Sequence, residues 1–135
     1  MLYYLQPEGG VAVKIALTVW GNRISPVFDA ARQVLVVDIE QGVVVSRHVA
    51  SLGTELPHTR ALRLSGWGVQ SLVCGAISRE FAQTLEFHGI QVIPFITGEV
   101  NQVLDAYLRG ALAAGGFRMA GTGARRRKRF RGGSL

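Results

Sequence analysis

Three apolar, β-branched runs crowd the first fifty residues, and their spacing constrains the fold more than any other feature. Val11 to Trp20 is apolar at odd and even positions alike, the pattern of a central strand covered on both faces. Gln33 to Asp38 and Val43 to Val49 follow, separated by Ile39-Glu40-Gln41-Gly42, a hairpin signal. Gly21 to Val27 reads as a loop, punctuated by Gly21-Asn22 and Ser25-Pro26.

Beyond Val49 helical periods alternate with short strands. Pro57 to Ser65 suits a short helix with Pro57 in its first turn and Gly66 at its end. Leu72 to Cys74 is a short buried strand. Ser78 caps a helix from Arg79 to His88 that Gly89 terminates. Ile90 to Phe95 is another strand. The last helix shows the clearest period: Val100, Val103, Leu104, Tyr107, Leu108, Ala111 and Leu112 fall on one face. Gly110 lies inside it.

The order βββαβαβα predicts an α/β domain on a mixed five-stranded sheet. The first three strands make an antiparallel meander, and the last two, entered through helices, run parallel. Right-handed crossovers give the strand order 3-2-1-4-5. The order then reverses between the first strand and the Leu72–Cys74 strand, and open α/β sheets bind ligands at such a switch point. The predicted crevice is walled by Gly21 to Val27 and by Gly75 to Ser78.

At 135 residues, 48% of them hydrophobic, the chain is long enough for one core and one domain. No apolar run is long enough to cross a bilayer, and the start lacks the basic and apolar regions of a signal peptide, so a cytoplasmic location and no membrane partner are expected. The formal charge of +6 is concentrated at one end. Seven basic residues and no acid lie from Arg118 onward, against eight basic and nine acidic residues before it. Three zones follow: a lead-in over 1–10, a body over 11–112, and a Gly/Arg-rich tail over 113–135 expected to be disordered. The tail's run from Arg125 to Arg131, with Phe130 in it, suits nucleic-acid phosphates and stacking, an acidic partner, or plain solvation.

Several residues carry chemistry. Gly75-Ala76-Ile77-Ser78 joins a strand to a helix N-terminus, where free N–H groups and the helix dipole favour an anion, or it is an ordinary turn. Asn22, Arg23 and Ser25 in the first loop meet that anion, or are solvated loop residues. Asp29 reads as a cap for the turn over Ala30 to Arg32. Cys74, the single cysteine, excludes a disulfide within the chain and a four-cysteine cluster site. It reads either as a soft metal ligand at the crevice or as a small core residue. His48, His58 and His88 have no paired spacing and fall on separate elements, so no shared zinc site is expected. Walker, GxGxxG and GxSxG patterns are absent, and the first strand carries no carboxylate, so no enzyme is expected.

Read together, Lys14-Ile15-Ala16 through Trp20-Gly21, Ser25-Pro26-Val27-Phe28-Asp29-Ala30-Ala31 and Val73-Cys74-Gly75-Ala76-Ile77-Ser78 resemble the dinitrogenase iron–molybdenum cofactor family. Gly89-Ile90-Gln91-Val92-Ile93-Pro94 and Gly98-Glu99-Val100, leading into Ala106-Tyr107-Leu108, extend the resemblance over nearly the whole body. The family includes NifX and the C-terminal domain of NifB. The resemblance implies a ribonuclease H-like, three-layer α/β/α fold. It also implies binding of an iron–sulfur or molybdenum-containing metal–sulfur cluster, received from or passed to a donor or acceptor protein. Nitrogenase-linked members often carry a histidine before the first-loop phenylalanine, where this chain has Val27. The branch similar to the orange protein holds an anionic cluster largely without covalent ligands, a mode this sequence matches better. The reading is therefore a cluster binder or carrier without catalysis of its own. An interaction module acting through the basic tail is the alternative.

Overall fold

A computed structural model describes residues 12–53, 56–112 and 116–119. β1 (Ala12–Trp20) is apolar on both faces because both are covered. Ile15, Leu17 and Val19 enter one apolar cluster and Ala16 the other. A turn at Gly21-Asn22 leads to β2 (Arg23–Ile24), which folds back on the end of β1. After a 3-10 turn at Phe28–Ala30 come β3 (Gln33–Glu40) and β4 (Val43–Ser51), an antiparallel hairpin. Its tight turn is Gln41-Gly42, both residues at positive φ, as the twist of a two-residue hairpin requires. α1 (Pro57–Gly66), β5 (Ser71–Val73), α2 (Arg79–Phe87), β6 (Gln91–Ile93) and α3 (Val100–Leu108) complete the chain.

The sheet is mixed and six-stranded, running β4-β3-β1-β5-β6 with β2 paired to β1 off that path. The sequence pattern suggested five strands because two residues, Arg23 and Ile24, are too few to show a period. β1 is antiparallel to β3 and parallel to β5, and β5 is parallel to β6. Val100, Val103, Leu104 and Ala106 of α3 pack on Ile15, Leu17, Leu35 and Val37. Ala61 and Leu64 of α1, with Phe81 and Leu85 of α2, pack on Ala16, Val34, Val36 and Leu72. The result is three layers, one helix on one face and two on the other. β4 is one edge, and most of its side chains are exposed.

α3 ends at Leu108, four residues before the apolar period does. Gly110 takes φ 69° just past the helix, and the Ala111 N–H turns back to the Ala106 carbonyl at 2.8 Å. Gly110 is thus a terminator, since a left-handed residue closes the last turn at no Cβ cost. Ala111 and Leu112 still pack on the same cluster, which is why the pattern outlasts the helix.

The body also extends past 112. The Thr97 N–H donates to the Phe117 carbonyl at 2.7 Å and the Met119 N–H to that of Phe95 at 2.8 Å, around a bridge between Ile96 and Arg118. Phe117 packs against the α3-side cluster. The lead-in at 1–10 and the basic run at 125–131 lie outside the described residues. Among those described, no helix is long and apolar enough to cross a membrane.

Candidate functional site

At the ends of β1 and β5 the two loops expected to wall a crevice are joined to each other. The Ala76 N–H donates to the Pro26 carbonyl at 2.8 Å and the Phe28 N–H to the Ala76 carbonyl at 2.7 Å, a parallel bridge between Val27 and Ala76. Gly75 lies beneath this crossing. A Cβ there would sit 2.4 Å from the Pro26 oxygen and 2.5 Å from the Ser25 oxygen. The glycine expected to admit an anion instead admits the first loop's own backbone. The first loop is pinned at its other end too, by Ser25 N–H to the Thr18 carbonyl and Ile24 N–H to that of Gly98.

The N-terminus of α2 already holds an internal anion. The Ser78 N–H donates to Asp29 Oδ1 at 3.1 Å, while Ser78 Oγ accepts from the Phe81 N–H at 3.2 Å. Asp29 thus ties the two loops together rather than capping the turn that follows it. A free anion brought to Ser78 would face that carboxylate, so this terminus is a poor place for a second negative charge. Ile77 packs half-buried against the core beside α2.

Cys74 is fully buried in the same cluster as Phe28, Leu72 and Phe81. Burial pushes its thiol up from the ordinary 9.0 to about 12, with the nearby Asp29 charge adding to the rise. A thiol held neutral and away from solvent is a packing residue in this conformation, because the thiolate is the form that binds metal. Among the described residues, no three His, Cys, Asp or Glu side chains come together to hold a metal ion.

The open space lies on the other flank of the first loop. A groove of about 670 Å³ is lined by Trp20, Ser25, Pro26 and Val27 together with Arg32, Gln33 and Ser51. Trp20 is 74% exposed and Val27 42%, so its rim is apolar and open to solvent. Arg32 is the cation in its lining. Arg23 stands directly across the β1–β2 ladder from Trp20, and cross-strand partners project on the same face. Of the residues singled out from the sequence, Ser25 lines this groove and Arg23 adjoins its Trp20 edge. Asn22 lies instead in a smaller hollow of about 210 Å³ on the α3 side, with Arg47 and Glu99. Gly75, Ala76 and Ser78 support the first loop from behind.

Sequence reasoning missed Arg60. This α1 residue is 2% exposed, and its guanidinium donates to the carbonyls of Phe28 at 2.8 Å, Ala31 at 2.6 Å and Gly53 at 2.8 Å. It also lies over the rings of Phe28 and Phe81 at 5.3 and 5.7 Å. The groove floor at Ala30-Ala31 is thereby bolted to α1. A signal existed: Arg60 stands beside Ala61 and four residues before Leu64, on the face that α1 buries.

The model of the family described as dinitrogenase iron–molybdenum cofactor matches residues 11–110. No curated protein matches the chain significantly. Among solved structures, the protein PH0822 aligns at 18% identity with a TM-score of 0.71, over 82% of this chain and 96% of that one. The apo form of the orange protein from Desulfovibrio gigas aligns at 24% identity with a TM-score of 0.59, over 80% and 92%. MJ0327 from Methanocaldococcus jannaschii aligns at 18% identity with a TM-score of 0.61, over 75% and 92%. These likenesses establish the shared fold.

Proposed function

The chain belongs to the dinitrogenase iron–molybdenum cofactor family, and on that premise we propose that it binds or carries an anionic metal–sulfur cluster as an accessory protein, without catalysis of its own. We read its three-layer frame as ribonuclease H-like, with the cargo at the switch point between β1 and β5. The observation that carries this reading is the groove beside the first loop, whose lining combines an exposed tryptophan and valine with an arginine. A cluster sheathed in sulfide is large, soft and negatively charged. Its sulfur surface gains dispersion against Trp20 and Val27, and its charge is met by Arg32 and Arg23.

This chemistry requires no bond from the protein. Cys74 is sealed in the core, and Val27 offers no donor atom where nitrogenase-linked relatives place a histidine. Asn22, Ser25 and the Gly75–Ser78 segment serve by setting the shape of the first loop rather than by ligating. An open, solvent-facing groove also suits a carrier that must receive its cargo from a donor and release it to an acceptor protein. The competing role, nucleic-acid binding through residues 125–131, rests on residues outside those described; salt-dependent RNA binding lost with the tail would favour it.

Purification without oxygen tests the reading. The expected result is protein carrying iron or molybdenum with sulfide, coloured in the visible, or colourless protein that acquires both on addition of a cluster. Protein that stays colourless after exposure to iron–sulfur and molybdenum–sulfur clusters would overturn it.

A further inference from the structure

Two of the chain's three histidines, far apart in sequence and placed on separate elements, meet at the surface. His58 lies in the first turn of α1 and His88 at the C-terminus of α2, and the packing of these helices brings the ring centres to 5.2 Å, tilted by 57°. His58 is exposed and His88 half-buried.

The His88 ring is held in one orientation. Its Nδ1 lies 2.9 Å from the Thr84 carbonyl oxygen, which only accepts, so Nδ1 carries the proton. In the neutral ring this leaves the lone pair on Nε2. A backbone carbonyl on the far nitrogen is the usual support of a metal-ligating histidine. The Phe87 ring meets the imidazole at 5.4 Å in an edge-to-face contact.

Two imidazoles bound to one tetrahedral ion through nitrogens at ~2.0–2.1 Å have ring centres on the order of 5 Å apart. The observed ring-centre spacing matches that of such a pair. From this juxtaposition we propose that His58 and His88 bind one divalent transition-metal ion across the seam between α1 and α2. Neutral imidazole nitrogen selects zinc, copper or nickel over magnesium or calcium. Among the described residues no third His, Cys, Asp or Glu joins the pair, so water completes the coordination and the ion exchanges readily. The site shares no residue with the groove and stands whether or not the groove holds a cluster.

The bland alternative is simple ring packing, and a phenylalanine can preserve that while removing the ligand. The full chain, stripped with a chelator, is titrated with Zn²⁺ by calorimetry and melted with and without the ion. The expected result is one ion per chain and a rise in Tm with zinc concentration, because the ion binds the folded state. His58→Phe and His88→Phe should each weaken binding at least tenfold, about one factor of 1.4 kcal/mol, and abolish the rise in Tm. His48→Ala, on β4, should change neither, and circular dichroism checks that every variant is folded. No zinc binding by the unaltered chain below millimolar concentration, or unchanged binding by both phenylalanine variants, would overturn the proposal.

Discussion

A Cβ on Gly75 would press on two backbone carbonyl oxygens of the first loop, and neither can rotate away as a flexible side chain does. Gly75→Ala should therefore destabilise the protein by about 1–3 kcal/mol through overpacking, read as a lower urea midpoint with unchanged m-value. An anion cradle would have predicted lost ligand binding at unchanged stability. The sequence shows a glycine at a strand–helix junction but not which segment passes over it, so its reason was not legible. Cys74 was half-legible, because a cysteine ending an apolar strand reads equally as ligand or core. Its raised pKa has a consequence with a definite sign. Well below pH 9.0 the thiol is neutral in both folded and unfolded chains, and the shift has no effect on stability. Between 9.0 and about 12 the unfolded chain releases the proton while the folded chain retains it, so stability falls as pH rises. Urea melts from pH 8 to pH 11 should show this loss in the unaltered chain, and Cys74→Ala should show a shallower one.

At the scale of elements, the sequence period located the strands and helices but not their ends or their ties. The β1, β3 and β4 runs stand out because each alternation or double-faced run reports which sides are covered. β2 is hidden because two residues carry no period, and α3 ends at Leu108 while its apolar face continues to Leu112. Arg60 escaped notice because a basic residue on a short helix usually faces solvent. Here it satisfies three carbonyls that bring the 3-10 turn, the end of β4 and α1 together. Arg60→Met should cost about 2–4 kcal/mol, since it leaves buried carbonyls without donors. Arg60→Lys should recover little of it, because one ammonium cannot span a fork of acceptors. Chemical denaturation of both variants measures the difference. Equal stability of Arg60→Met and the unaltered chain would show that water replaces the guanidinium.

For the molecule as a whole, the layering was readable because helices that cross between parallel strands leave few alternatives. Which side of the first loop stands open was not readable. That depends on the Val27–Ala76 bridge, a contact between segments nearly fifty residues apart. Beyond the last helix, Phe117 and Met119 pair with Thr97 and Phe95. A chain ending at Met119 should keep this pairing and melt several degrees above one ending at residue 115, which loses it together with the Phe117 packing. In the proposed function the groove holds a metal–sulfur cluster by charge and dispersion rather than by a thiolate. Anaerobic titration of the full chain with thiomolybdate, followed by visible absorption, addresses it most directly. Cys74→Ser should bind nearly as well as the unaltered chain. Arg32→Ala should bind about tenfold more weakly, and added salt should weaken the unaltered chain further as its charges are screened. Loss of binding in Cys74→Ser, with Arg32→Ala and added salt without effect, would show that a thiolate holds the cluster instead.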